Sequence, residues 1–214
     1  LDNSYFLSRS DVNHPLSSYS KFGFELDGAE WLSAEHYYQG TKFEQGELRE
    51  SIRATDHPEK ANKLARANKR LVRKDWPQIR EVMMTRAVYI KCRTHQEVAA
   101  ALLATGDQPI VESSQYDYYW GCGRDGRGHN AFGKVLMAVR DKLKQEQEAL
   151  AYQYRLDREK SEAERKRIEA EGEARANDII NSSLTTNLLR MRGIEATMKL
   201  AESENSKVVV IGSG

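Results

Sequence analysis

Cysteine is nearly absent. Cys92 and Cys122 are the only two in 214 residues and lie far apart. No disulfide framework can staple the fold, and a reducing, cytoplasmic setting is expected. Net charge is nearly absent too, at a formal +1. That removes any bulk electrostatic case for nucleic acid or membrane binding and leaves only local patches. No apolar run approaches the roughly 20 residues of a membrane span, and no signal-peptide pattern opens the chain. The five histidines are scattered and neither cysteine belongs to a closely spaced pair, so neither a metal nor a cofactor is expected.

Composition changes near residue 142. All three tryptophans, all four prolines and most glycines precede it, and a proline-free stretch rich in Glu, Arg, Lys, Ala and Gln follows. The change predicts a domain over 1–143, a long charged helix over 144–181 and a cap over 182–214 with a short helix and a terminal strand. Within the first part, Phe22 to Leu26 ending at Asp27-Gly28 reads as a hairpin. Ser33 reads as the N-cap of a helix running to about Phe43. Further helices are expected over Glu47–Thr55, Glu59–Asn68 after Pro58, from Pro77 through Ile90, and over Glu97–Ala104. A short strand is expected over Ile110–Ser113, and a helix from about Ala131. The sum is an α+β, mostly helical domain.

In the tail, Leu136, Val139, Leu143 and Leu150 hold a heptad-like register that fades into a face charged all round from Asp157 to Arg167. Asn181-Ser182-Ser183 reads as a break before a last helix over about Asn187–Ala201. Lys207 to Ile211 reads as a strand. An apolar strand at a terminus needs partners. The charged helix before it favours pairing with other copies of the chain, which predicts self-association through helix and strand into a ring or cage.

The chemistry-bearing residues gather in two clusters, Trp31 to Phe43 and Asp117 to Asn130. Lys42 is either a solvated surface lysine or, since Tyr38 and Glu35 share its helical face, a partly desolvated nucleophile. Glu35 is either a helix-start capping carboxylate or a general acid or base. Asp117 is either a turn residue or a second carboxylate. Trp31 and Trp120 either fill the core or stack on a ligand ring. Gly121, Gly123, Gly126 and Gly128 allow close backbone approach, and Arg124 and Arg127 beside them suit a phosphate. Asn130 is an N-cap or a ligand contact. His36 reads as structural.

These residues resemble the NADAR family, named for its proposed links to NAD and ADP-ribose. The resemblance rests on Leu26-Asp27-Gly28 with Trp31, Glu35-His36-Tyr37-Tyr38-Gln39, Lys42-Phe43 and Asp75-Trp76. It continues through Leu103 to Gly106, Asp117 to Gly121, Gly128, Asn130 and Gly133-Lys134, in the family's order over about residues 3–143. It implies a mostly helical α+β fold and an N-glycosidase acting on a ribose phosphate or ADP-ribose linked to a nitrogen base. Removal of ADP-ribose from guanine is favoured over a riboflavin-pathway intermediate. It further implies Lys42 as a Schiff-base nucleophile and Glu35 or Asp117 as proton donor. Trp31, Tyr38, Trp120, Gly121, Arg124, Arg127 and Asn130 would hold the substrate. The alternatives are a module that binds ADP-ribose without cleaving it, and a structural assembly protein. Two departures stand out: Leu32-Ser33-Ala34 where the family often has Pro-Thr-Ser, and Leu16-Ser17-Ser18-Tyr19 where Phe-Ser-Asn-Phe is common. The tail, through Ala163 to Gly172, Leu184-Thr185, Gly193 to Ala196 and Ser206 to Ile211, resembles the C-terminal part of prohibitin- and stomatin-like (SPFH) proteins. That implies ring assembly, with membrane association only through a segment this sequence does not contain.

Overall fold

A computed structural model describes residues 3–203. Contacts divide the chain into two units, 1–150 and 151–214. The first is α+β and mostly helical. Strand β1 (Tyr5–Leu7) is followed by a hairpin of β2 (Phe24–Leu26) and β3 (Ala29–Trp31). Five helices come next: α1 (Ala34–Gly40), α2 (Glu47–Arg53), α3 (Pro58–Ala67), α4 (Trp76–Thr94) and α5 (Gln96–Ala104). Strand β4 (Ile110–Glu112), a glycine-rich loop and helix α6 (Ala131–Ala201) complete the order.

Local chemistry explains most boundaries. Asp27 and Gly28 take positive φ of 53° and 75°, the conformation a two-residue hairpin turn requires. Ser33 Oγ accepts the amide of His36 and so caps α1. Pro58 and Pro77 stand in first helical turns, where no amide hydrogen is needed. Strand β1 gives no pattern signal of its own. It pairs in parallel with β4, Tyr5 opposite Ile110, more than a hundred residues away. The main core joins Leu7, Tyr38, Trp76, Met84, Val88, Leu102, Ile110, Trp120, Phe132 and Leu136.

The tail departs from expectation at 181–183. Helix α6 is continuous from Ala131 to Ala201, so no separate last helix exists. Asn181 and Ser182 lie inside the helix, and their carbonyls accept side-chain hydroxyls one turn on: Thr185 Oγ1 donates to Asn181 O at 2.8 Å and Thr186 Oγ1 to Ser182 O at 2.9 Å. From 151 to 203 every residue except Leu156 is exposed. Ile180, Leu184, Leu188, Met191, Ile194 and Met198 are each more than half exposed. The strand expected over 207–211 lies outside the described residues. No helix among the described residues is long and apolar enough to cross a membrane.

Candidate active site

Helix α1 and the segment after it place Glu35, Tyr38 and Lys42 together, as their spacing requires. Glu35 is fully buried. Four donors converge on its carboxylate: Arg9 Nη1 and Ser18 Oγ at 2.9 Å on Oε2, Gln39 Nε2 at 2.6 Å and Asn62 Nδ2 at 3.3 Å on Oε1. Burial alone would raise its pKa, but Arg9 and the hydrogen bonds from Gln39, Ser18 and Asn62 outweigh it and hold the carboxyl below its usual range. A carboxylate so held is a fixed negative charge. That setting suits a counter-charge better than a proton donor.

Lys42 Nζ lies 5.0 Å from the centre of the Tyr38 ring. Among the described residues it forms no ion pair. Burial depresses its pKa to about 8. Glu35 opposes that shift, while the cations Arg9, Arg66 and Arg80 reinforce it. A free-base fraction is therefore present near neutral pH, which a nucleophilic amine needs. Tyr38 is pushed up to about 12, first by burial and then by Glu35, so its phenol stays protonated. Its oxygen accepts Trp120 Nε1–H at 3.2 Å, and the two rings meet edge to face at 5.3 Å.

Asp117 is a turn residue that also approaches Arg9. Its Oδ1 accepts the amides of Tyr119 and Trp120 at 3.0 and 2.8 Å, an Asx turn. Its Oδ2 faces Arg9 Nη2 at 3.8 Å, which brings the second cluster to the first. Arg9, unremarked in the sequence, joins them by charge as the Tyr38–Trp120 contact does by packing. Its guanidinium also lies 5.8 Å from the Trp120 ring. Ser18, Gln39 and Asn62 were likewise missed as Glu35 donors. Only Gln39, four residues after Glu35 on one helix, carried a local signal.

Five of the expected substrate contacts are placed elsewhere or already committed. Trp31 is 2% exposed, packed among Phe24, Ala34, Tyr37 and Ala87, with Nε1 donating to Leu26 O at 3.0 Å. No face is left for a ligand ring, so it is a core residue. Asn130 takes a φ of 49°, and its side chain is bonded to the backbone of β4 at Glu112 N (2.9 Å) and Ile110 O (2.8 Å). It is therefore a clamp on the strand. Gly121 donates its amide to Asp117 O at 3.2 Å, and its carbonyl accepts from Asn130 N at 3.0 Å, so it presents no free donor. A Cβ there would overlap Glu112 Oε2 and lie 2.8 Å from Ser114 O, so the glycine serves close packing inside the loop. Arg127 is exposed beside Asp125. Arg124 lies 5.8 Å from the exposed Tyr116 ring and, with Phe6, Cys122 and Asn130, lines a cavity of about 440 Å³ that does not include Lys42. A larger cavity of about 640 Å³, edged by Phe24, Trp31, Arg53 and Thr55, holds none of Glu35, Lys42 or Asp117. The Lys42 cluster brings an amine, a carboxylate and aromatic rings together, and neither cavity is lined by Glu35, Lys42 or Asp117.

The NADAR domain model matches residues 5–144, which contain this whole cluster. The chain belongs to the NADAR family. The N-glycosidase YbiA of Escherichia coli is 36% identical over 142 residues, covering 66% of this chain and 89% of that protein. An N-glycosidase of Nostoc punctiforme is 37% identical over 131 residues, 60% of this chain and 84% of that one. A riboflavin biosynthesis protein of Vibrio vulnificus is 34% identical over 146 residues, 68% of this chain but 40% of that protein. The NMR structure of E. coli YbiA superposes with a TM-score of 0.61 at 34% identity, covering 67% of this chain and 88% of that one. These NADAR relatives support a glycosidase-type enzyme. The match ends where the exposed part of α6 begins, so the tail is argued from its own residues alone.

Proposed function

We propose that the NADAR domain is an N-glycosidase that cleaves the bond between ribose C1 and a base nitrogen, with Lys42 as nucleophile. The observation that carries this is an amine with a pKa near 8, against an aromatic ring and beside a carboxylate fixed in its ionised form. The free-base Nζ attacks C1 and the C1–N bond breaks, its electron pair going to the base nitrogen, which takes a proton. The sugar remains on Lys42 as a glycosylamine, and Nζ gives up a proton. The C1–O4 ring bond breaks with its electron pair going to O4, which takes a proton. The resulting iminium adds water at C1 before the C1–Nζ bond breaks and frees the sugar and the amine. Glu35 offsets the positive charge of the iminium. Asp117, whose Oδ2 lies 3.8 Å from Arg9 Nη2, moves the proton in this reading. Arg66 and Arg80 are in no ion pair among the described residues and both bear electrostatically on Lys42. With Arg9 they make the site cationic, which suits a phosphate-bearing ribose. Arg80 lies 3.3 Å from the centre of the Tyr119 ring.

The family resemblance favours ADP-ribose on guanine as substrate. The Vibrio vulnificus relative, named for riboflavin biosynthesis, favours a ribosylated pyrimidine intermediate of that route instead. The test is chromatography of released base and sugar from guanine-ADP-ribosylated DNA and from the ribosylaminopyrimidine phosphate, with Lys42→Ala alongside. Release by the native chain alone supports the glycosidase and identifies the substrate. Binding of ADP-ribose without release of either base would favour the non-catalytic module.

For the tail we propose self-association through α6. An isolated helix exposing Ile180, Leu184, Met191, Ile194 and Met198 leaves an apolar stripe in water. Their spacing alternates three and four residues if Asn187 is included, the pattern of a coiled-coil seam. Light scattering should give a multiple of 24.4 kDa, and a monomeric mass would remove the proposal.

A further inference from the structure

The segment between β1 and the hairpin has no regular structure, yet it is among the most buried parts of the domain. Leu16, Ser17, Ser18, Tyr19 and Ser20 are all 6% exposed or less. Irregular backbone inside a protein needs partners for its polar groups, and loops usually avoid the interior for that reason. Here one partner is a charged side chain from a distant helix. Lys91, on α4, is 1% exposed. Its Nζ donates to Ser17 O and to Ser20 Oγ, both at 2.7 Å, and faces the Phe22 ring at 5.4 Å. Two acceptors and a ring face account for the three N–H bonds. Among the described residues no carboxylate pairs with it. Burying an amine without a counter-charge is costly whether it keeps its charge or gives up its proton, so its placement requires a reason.

The loop it grips carries the Glu35 site. Ser17 Oγ donates to Arg9 O at 2.5 Å and accepts the Tyr19 amide at 3.0 Å. Ser18 donates its hydroxyl to Glu35 Oε2, and its carbonyl accepts the Glu35 amide at 2.9 Å. Arg9 is held from the other side by Glu112 Oε1, which accepts its amide at 3.1 Å. Hydrogen bonds thus tie Lys91 to Ser17, Ser17 to Arg9, and the adjacent Ser18 to both Arg9 O and Glu35.

We infer that Lys91 is a positioning residue of the active site: by binding Ser17 O and Ser20 Oγ it seats the 9–20 loop so that Arg9 and Ser18 close over Glu35 beside Lys42. Without Lys91 the loop loosens and Arg9 withdraws. Water then reaches Lys42, and a repelling cation leaves it. Both changes favour the ammonium form of Lys42, so its pKa rises and less free amine is present at neutral pH. This rests on Lys42 being the reactive amine.

The test measures Lys42 directly, without substrate. The full-length native chain, Lys91→Met, Ser20→Ala and Met84→Ala are labelled with an amine-acylating reagent from pH 6 to 11, and the Lys42 peptide is followed by mass spectrometry. Met84→Ala is the control for general destabilisation: Met84 is fully buried on the same helix and makes no hydrogen bond to the loop. The expected result is a native midpoint near 8 and an upward move in Lys91→Met of about one pH unit, a roughly tenfold drop in free amine at pH 7. Ser20→Ala, which loses one of the two bonds and is the variant to rely on if Lys91→Met fails to fold, should move the midpoint the same way by less. Met84→Ala should not move it. An unchanged midpoint in folded Lys91→Met or, should that variant not fold, in Ser20→Ala overturns the inference, as does an equal shift in Met84→Ala. A native midpoint near the ordinary lysine value would instead overturn the reading of Lys42 itself, so the two failures are distinct.

Discussion

Replacing Arg9 by methionine removes the cation from a carboxylate that has no access to water. Glu35 is fully buried and the Arg9 side chain is 16% exposed, so this pair stands much nearer the buried limit than the surface one. Breaking a buried pair from one side costs about 3–5 kcal/mol, because the remaining charge is left uncompensated. The partial exposure of Arg9 and the three other donors to Glu35 place the expected loss near the lower end, about 3 kcal/mol. For a domain whose whole stability is about 5–15 kcal/mol this is a large fraction. It corresponds to a fall in Tm of roughly 6–12 °C at this chain length. The assay is urea unfolding followed by circular dichroism on the native chain, Arg9→Met, Glu35→Gln and the double variant. The double variant should lose less than the sum of the singles, since no orphaned charge remains.

Acidity sharpens the test. Native Glu35 titrates below its unfolded value of 4.5, so the stability it contributes is complete above about that pH and is lost as pH falls through the folded value. In Arg9→Met burial dominates and the folded pKa rises above 4.5. That variant should therefore gain stability relative to the native chain between pH 7 and pH 5, and the gap between them should narrow. A loss below 1 kcal/mol at pH 7, or a gap that does not change with pH, would refute the account of Glu35 as a charge held by Arg9.

Three further predictions follow from neighbouring features. Glycosidase turnover should rise with pH and level off above about 8 as Lys42 becomes free base, and Lys42→Arg, which stays protonated, should show no turnover at any pH in the range. Gly121→Ala should cost about 3 kcal/mol or more in urea unfolding, because its Cβ would overlap Glu112 Oε2 and crowd the Ser114 and Asp117 carbonyls, which are backbone and cannot swing away. Burial lowers Lys91 to about 7 in the folded chain against 10.5 unfolded, so the unfolded state binds the extra proton between those values and stability should rise with pH across that window; Lys91→Met should flatten the rise.

Much of the domain was legible because it depends on near neighbours. The Asp27-Gly28 turn, the Ser33 cap, the first-turn prolines and the shared face of Glu35, Tyr38 and Lys42 are set within about four residues of chain, where dihedral preference and helical spacing decide. The continuity of α6 through 181–183 is equally local, but there the same hydroxyls can end a helix or bond back into it, and composition does not choose between the two.

What the sequence by itself determined is therefore the order of elements from the β2–β3 hairpin to β4, the α+β class and the Glu35–Tyr38–Lys42 face. What only the tertiary structure decided is which groups surround that face. Arg9 reaches Glu35 across 26 residues, and Lys91 reaches Ser17 across 74. Trp31 is turned into the core, and Asn130 is spent on β4 rather than on a ligand. None of these has a spacing signature. Each is fixed by the closure of loops around a packed core, where a buried polar group must find whichever partner the fold brings within reach.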